Sequence, residues 1–160
     1  MTAPDFALLL PPSEGKAPGG GAPGWDPASG RFGAELGPQR AAVARALARA
    51  RGGDQKLLGV KGEELARAKD ANSSLLDGAA TLPAWERFTG VVWEHLLGSG
   101  RLGAPDDPLP KAARRQAASS VLVISALTGL TAWDDPVPDF RPRRCGGVTA
   151  PCLSTFDTVP

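Results

Sequence analysis

An apolar run passes directly into a polar loop in the stretch Leu8-Leu9-Leu10-Pro11-Pro12-Ser13-Glu14-Gly15-Lys16. The apolar residues from Phe6 to Leu10 predict a short buried strand, because the two prolines that follow cannot continue the hydrogen bonding of a sheet. Loops at the end of a rigid strand are common positions for binding and catalytic residues. Ser13, Glu14 and Lys16 are therefore the first candidate site residues, and a solvated turn is the alternative.

A nucleotide-binding phosphate loop is the first hypothesis to test, since Gly15-Lys16 is followed by Gly19-Gly20-Gly21. A Walker motif needs a glycine five residues before its Gly-Lys pair and a Ser or Thr after it. Leu10 and Ala17 occupy those two positions, so the motif is absent. Lys16 can still hold an anion as a point charge.

The composition predicts one main globular domain, because the chain has 160 residues of which 42% are hydrophobic. Its net charge of +1 creates no overall field for nucleic acid or an acidic membrane, so either partner needs a local basic patch. We find no spanning-length apolar run and no secretion leader, and we expect a cytoplasmic protein without membrane contact. Cys145 and Cys152 are too few for a disulfide scaffold or a zinc site, and we expect no metal and no cofactor.

A helix is predicted over residues 38–51, where Val43, Leu47 and Ala50 lie on one apolar stripe. Arg45 and Arg49 share a different face, which we interpret as a solvated helix surface.

A second helical region follows in Leu57-Leu58-Gly59-Val60-Lys61-Gly62-Glu63-Glu64-Leu65. A helix end, a turn bracketed by glycines and a new helix start are the outline of a helix-hairpin-helix. In that motif, backbone amides and a lysine face a DNA phosphate without reading the bases. Gly59 and Gly62 are separated by two residues instead of one, so an ordinary helical connection is the alternative. Lys61 is the candidate phosphate contact.

An aromatic helix is predicted after Thr81, which is a suitable N-cap. Four large apolar residues recur there at helical spacing: Trp85, Phe88, Val92 and Leu96. We interpret this stripe as core and not as a base-stacking platform, because Arg87 is the one basic residue close to it.

A second strong strand is predicted at Val121-Leu122-Val123-Ile124, again followed by polar residues from Ser125. Ligand sites in parallel sheets gather at the carboxyl ends of strands, so we expect Ser13 and Ser125 to follow neighbouring strands. The predicted fold is α/β (mixed α+β), with a central mixed sheet, flanking helices and a helix-hairpin-helix-like element.

Four segments resemble, in this order, the signature segments of the YaaA family of peroxide-stress proteins in their actinobacterial form. They are Leu9–Lys16, Glu86–Val91, Ser125–Leu130 and Asp135–Arg141. The resemblance extends from about Phe6 to Arg141. It implies a cytoplasmic mixed α/β protein with a basic cleft and a helix-hairpin-helix-like element. It also implies DNA binding without marked sequence preference, and protection of DNA from iron-driven oxidative damage.

The chain departs from that family in two respects. Members usually have tyrosine at the positions of Phe88, Trp93 and Phe140, whereas this chain has no tyrosine. Members also continue well beyond the last segment, whereas residues 142–160 do not align. We therefore divide the chain into a YaaA-like domain over 1–141 and an irregular tail over 142–160. An incomplete, nonfunctional fragment is an alternative, and it would expose an apolar surface that promotes self-association.

The resulting site hypothesis is a DNA- or anion-binding cleft. Its residues are Ser13, Lys16, Lys61, Arg87, Ser125 and Arg141. Binding is favoured over catalysis, and DNA is the expected partner. The alternative is an enzyme or a small-anion-binding protein with a pocket at 13–16 and 125–129, where Glu14 would be the general base and Lys16 an electrostatic stabiliser.

Overall fold

The computed structural model describes residues 6–13, 15–21, 23–97 and 111–141. Its helices are α1 (Gly33–Arg49), α2 (Gln55–Leu58), α3 (Gly62–Ser73), α4 (Ala84–Arg87), α5 (Val91–Leu97) and α6 (Lys111–Ser120), with a 3-10 helix at Leu75–Asp77. Its strands are β1 (Leu8–Leu10), β2 (Gly15–Lys16), β3 (Thr81–Pro83), β4 (Phe88–Thr89), β5 (Val121–Ser125), β6 (Gly129–Ala132) and β7 (Pro136–Pro138). The predicted α/β class is confirmed. The tail with Cys145 and Cys152 lies outside the described residues.

The two strands expected to be strong are neighbours in the largest described sheet, whose order is β1-β5-β6. β1 is parallel to β5, with Leu10 opposite Val123, and β6 is antiparallel to β5. The sheet is therefore mixed, as predicted. Because parallel strands end at the same edge, the chain leaves β1 and β5 on the same side of the sheet. Two short antiparallel pairs, β2–β4 and β3–β7, complete the described strands.

β1 is less buried than the prediction of a buried strand required. Leu10 is buried, but Leu8 and Leu9 keep 42% and 54% of their surface exposed. On β5, Val123 faces the core whereas Ile124 is 47% exposed. An uninterrupted apolar run cannot show which of its side chains are covered, since alternate residues point to opposite faces of a sheet.

Helix α1 begins at Gly33, five residues before the predicted start at Pro38. The predicted core stripe is confirmed for Leu47, which is buried, and for Val43, which packs against the core cluster, whereas Ala50 at the end of the helix is exposed. A Cβ on Gly33 would collide with the carbonyl of Ala28, so the missing side chain lets the preceding loop cross the first turn. Pro38 lies inside the helix, where it removes one backbone hydrogen bond.

The continuous aromatic helix predicted after Thr81 is wrong. Thr81 belongs to β3, where it is opposite Pro138 of β7, and is not an N-cap. The chain then forms the single turn α4, the short strand β4 and the helix α5. Gly90, with φ of 119°, makes the break between β4 and α5. Strand pairing with a distant segment therefore overrides the local helical spacing.

The stripe that includes Phe88 and Val92 was predicted to lie in the core. This prediction is confirmed for Phe88, which is buried, whereas Val92 is 48% exposed. Phe88 stacks on Trp93 with ring centroids 5.6 Å apart, and Trp93 stacks on Trp133 at 5.8 Å. Phe140 contacts the edge of Phe88 at 6.5 Å. This row of rings joins β4, α5 and the segment around β7, and the Lys16 amine lies over two of them, Phe88 and Phe140. None of the helices in the described ranges is long and apolar enough to cross a membrane.

Candidate nucleic-acid and anion-binding surfaces

The connection between α2 and α3 is the segment in which the sequence predicted a helix-hairpin-helix. Asp54 caps α2 by accepting a hydrogen bond from the Leu57 amide at 2.7 Å, and Gly59 ends it with φ of 68°. Lys61 is exposed at the N-cap of α3, and no side chain caps that helix. α2 is a single turn of four residues, so the described structure does not confirm two full helices in a hairpin.

The charges at this connection partly oppose one another. Glu63 and Glu64 lie in the first turn of α3, and both are exposed next to Lys61. Carboxylates at a helix N-terminus stabilise the helix through its dipole, but they also repel a phosphate. The Lys61 turn is therefore a weak anion site by itself, and its affinity for an anion depends on the charge of the surrounding residues.

The surrounding helical region supplies that charge. Residues 40–70 contain eight Lys and Arg but four Asp and Glu, whereas the whole chain has a net charge of +1. The exposed cations of this region are Arg45, Arg49, Arg51, Lys56, Lys61 and Arg67. They lie on α1, α2, α3 and the connections between them, and α1 packs against α3. The sequence motifs did not point to Arg51, Lys56 or Arg67. A count of charges along the chain would have found them.

The segment after β1 carries a second positively charged group, Lys16. The Lys16 amine donates to the Ser13 carbonyl at 3.2 Å and lies 4.4 Å from the centre of the Phe140 ring. A Cβ on Gly90 would lie 2.9 Å from the Ser13 hydroxyl oxygen, so the glycine permits a close approach of that loop. Ser13 and Lys16 are thus brought together. Glu14, the alternative general base, lies outside the described residues.

Arg87, an expected cleft cation, is instead buried in the interior. Its guanidinium donates to the carbonyls of Val137 at 3.1 Å, Gly19 at 2.8 Å and Ala80 at 3.2 Å, and also to that of Ala17. The Arg87 carbonyl in turn accepts a hydrogen bond from the Ala17 amide. Burial lowers the pKa of the guanidinium, and the charge of Asp139 partly opposes that change. Arg87 therefore clamps the residues that follow Lys16, and it does not face solvent as a phosphate contact would.

Ser125 is also buried, and its hydroxyl is bonded internally. It lies 2.6 Å from the Thr128 hydroxyl and accepts a hydrogen bond from the Thr128 amide at 3.0 Å. The Thr128 hydroxyl is in turn 2.6 Å from that of Thr131. This chain of hydroxyls holds the turn between β5 and β6, so Ser125 is not arranged as a donor to a surface phosphate.

Arg141 is half exposed and carries an ion pair. Its Nε lies 3.0 Å from the Asp139 carboxylate, which offsets its charge locally. The Arg141 backbone amide also donates to the buried Asn72 side chain at 2.8 Å. Since Lys16 lies over the ring of Phe140, the residue before Arg141, this end of β7 and the β1 loop meet.

Arg40 is a buried arginine with a structural role that the sequence motifs did not predict. It is buried, and its guanidinium donates to Thr128, Ser29 and Leu130 carbonyls, each at 2.8 Å. The sequence signal was its place on the buried face of α1, four residues before Ala44, where an arginine needs internal partners. Arg40 ties the loop before α1 to the turn after β5.

Asp135 has a structural role in the turn that follows β6. Its two carboxylate oxygens accept the amides of Arg31 and Ala132, each at 2.8 Å. Across the ranges that the structure describes, no three His, Cys, Asp or Glu residues are grouped to hold a metal ion.

Asp134 has a pKa above the ordinary value of an aspartate. Partial desolvation, and then the negative charge of Asp135, raise the pKa of Asp134. A raised pKa in the folded state means that stability is lost as the pH rises through the carboxyl range. We expect Asp134→Asn to raise the melting temperature slightly at neutral pH and to have no effect below about pH 3, where unfolded carboxyls are protonated. Thermal melts beside the exposed control Asp77→Asn test this, and equal shifts at both pH values would contradict it.

Comparison with known proteins identifies a relative. No protein-family model matches the chain. A UPF0246 protein of Streptomyces coelicolor is 37% identical to it over 140 residues, which cover 84% of this chain and 49% of the relative. The chain therefore spans about half the length of the curated relative that it matches.

Proposed function

The chain belongs to the UPF0246 (YaaA) family, and on that premise we propose that it binds duplex DNA through phosphate contacts without marked sequence preference. The observation that carries the proposal is the set of exposed cations on α1, α2, α3 and their connections, in a chain whose net charge is only +1. Phosphate contacts position a protein on a duplex but carry no sequence information. The proposed location is the cytoplasm and the proposed role is protection of DNA under peroxide stress.

The geometry supports this surface better than the cleft first expected from the sequence. Lys61 is exposed and lies within the basic region, whereas Arg87 and Ser125 are buried with internal partners. Lys16 on β2 lies over the Phe140 ring, and Asp139 offsets part of the charge of the neighbouring Arg141. The DNA surface that we propose is therefore formed by Arg45, Arg49, Arg51, Lys56, Lys61 and Arg67.

The salt dependence of DNA affinity tests this proposal. We expect the affinity for unrelated duplexes to be similar and to fall steeply as salt rises, because counterion release dominates phosphate contacts. Lys61→Ala should reduce the slope of log K against log salt by about one unit, and Arg45→Ala should have a similar effect. The measurement is fluorescence anisotropy of labelled duplexes over a range of salt concentrations.

The matched control is Arg115→Ala, which removes an exposed arginine on α6. This variant should leave the slope unchanged. Equal slopes for wild type, Lys61→Ala and Arg45→Ala would remove the support for this surface. A strong preference for one of the duplexes would contradict binding through phosphates alone.

A second candidate function is small-anion binding after β1, and Lys16 is the observation that favours it. The amine is held over the Phe140 ring, in the segment that follows β1. If this segment after β1 is an active site, Lys16 would stabilise negative charge and Glu14 would be the general base. Calorimetry with inorganic phosphate tests the binding step: Lys16→Met should abolish the heat, whereas Lys61→Met should not.

A further inference from the structure

Arg51 follows helix α1 in a backbone conformation that arginine rarely adopts. Its φ is 50°, and within the described ranges it is the one residue other than glycine with a positive φ. Its amide donates to the Ala48 carbonyl at 2.9 Å, and the Gly52 amide donates to the Leu47 carbonyl at 2.8 Å. These two bonds form a Schellman motif, in which the position of Arg51 is most often occupied by glycine. A Cβ in this conformation lies too close to the following carbonyl oxygen, so arginine makes the turn less stable than glycine would.

The turn that carries Arg51 is fixed against α3. Gly52 and Gly53 are buried. A Cβ on Gly52 would collide with the Lys69 carbonyl, so the backbone of the turn approaches α3 closely. The Gly52 carbonyl also accepts a hydrogen bond at 2.9 Å from the side chain of Asn72, which is fully buried. These contacts hold the turn in place and prevent the backbone from relaxing to a conformation that suits arginine better.

The side chain of Arg51 makes no contact that offsets this cost. It is exposed, whereas the buried Arg40 and Arg87 donate to several carbonyls. Among the residues that the structure describes, none forms a hydrogen bond or an ion pair with the Arg51 guanidinium. Glycine would therefore stabilise the fold at this position, and the advantage of arginine lies in something that the fold itself does not contain.

We propose that Arg51 contacts a DNA phosphate, and that the fold is less stable than it could be because it presents this side chain. The inference rests on the proposed function, since Arg51 lies between α1 and α2 within the region of exposed cations. A guanidinium is always charged and can donate two parallel hydrogen bonds to one phosphate. Arg45 and Arg49 differ from Arg51, because they are ordinary helical residues of α1 without a backbone cost. The fixed turn also means that DNA binding has to order only the side chain.

Replacing Arg51 with glycine separates stability from binding, because the two effects have opposite directions. Arg51→Gly should raise the denaturant midpoint of unfolding, since glycine adopts a positive φ without a clash. It should also weaken the affinity for a labelled duplex by about five- to tenfold at about 0.1 M salt, and reduce the slope of log K against log salt by about one unit. Arg51→Ala should weaken binding equally but should not raise the midpoint, because alanine keeps the Cβ.

The matched control for stability is Arg45→Gly, within α1, which should lower the midpoint because glycine is unfavourable inside a helix. A midpoint in Arg51→Gly that is unchanged or lower would overturn the inferred cost in stability. An unchanged salt slope in Arg51→Gly and Arg51→Ala would overturn the phosphate contact. If Lys61→Ala and Arg45→Ala still reduce the slope in that case, this inference alone fails; if they do not, the proposed function fails with it.

Discussion

Replacing Arg87 with methionine is expected to lower the free energy of unfolding by about 3–5 kcal/mol, which would be among the largest effects of a single substitution in this chain. Methionine keeps much of the length of the side chain but removes its donors. The carbonyls of Gly19, Ala80 and Val137, together with that of Ala17, would then lose a charged partner. Each buried acceptor left without a partner costs about 1–3 kcal/mol, and local water entry would reduce the total.

Chemical denaturation followed by tryptophan fluorescence measures this effect. The control is Arg45→Met, an exposed arginine on α1, for which we expect a change within about 0.5 kcal/mol. A loss in Arg87→Met no larger than in the control would show that the clamp contributes little. Hydrogen exchange should also rise at residues 15–19, because Arg87 holds the Ala17 backbone through both its amide and its carbonyl.

The parts of the fold that the sequence predicted are those set by local apolar patterns. The strand Val121–Ser125 and the core stripe of α1 follow from the spacing of their own residues. The parallel pairing of β1 with β5 follows from a general property of α/β sheets. Thr81 could not be placed in this way, because its strand forms by pairing with Pro138, which lies far along the chain.

The candidate site was predicted less well than the fold, for a physical reason. Arginine and serine are read from sequence as solvated donors, because burying them costs free energy unless all their donors are satisfied. In Arg87 and Ser125 that cost is offset by partners that the surrounding sequence does not reveal, such as the Val137 carbonyl or the Thr128 hydroxyl. Lys61 is exposed, which agrees with its place in a turn between helices, since such turns lie on the surface in most folds.

Replacing Arg40 with methionine is the second substitution for which we expect a loss of about 3–5 kcal/mol in the free energy of unfolding. The Arg40 guanidinium joins the Ser29 carbonyl to those of Thr128 and Leu130, so its loss would separate the loop before α1 from the turn between β5 and β6. Burial lowers the pKa of Arg40, and the charges of Asp135 and Glu35 partly oppose that change.

Arg40→Lys separates the effect of charge from that of geometry. A lysine keeps the positive charge but cannot reproduce the planar fork that reaches carbonyls on two sides, so we expect it to restore less than half of the stability lost in Arg40→Met. Arg49→Met, an exposed arginine on the same helix, is the control and should change the free energy of unfolding by less than about 0.5 kcal/mol. Full recovery in Arg40→Lys would show that the charge near Asp135 matters more than the geometry of the carbonyl contacts. The same denaturation measurement decides between these outcomes. The turn at 126–128 connects the antiparallel strands β5 and β6 of the central sheet, and a sheet in which this turn is no longer held should unfold at a lower denaturant concentration.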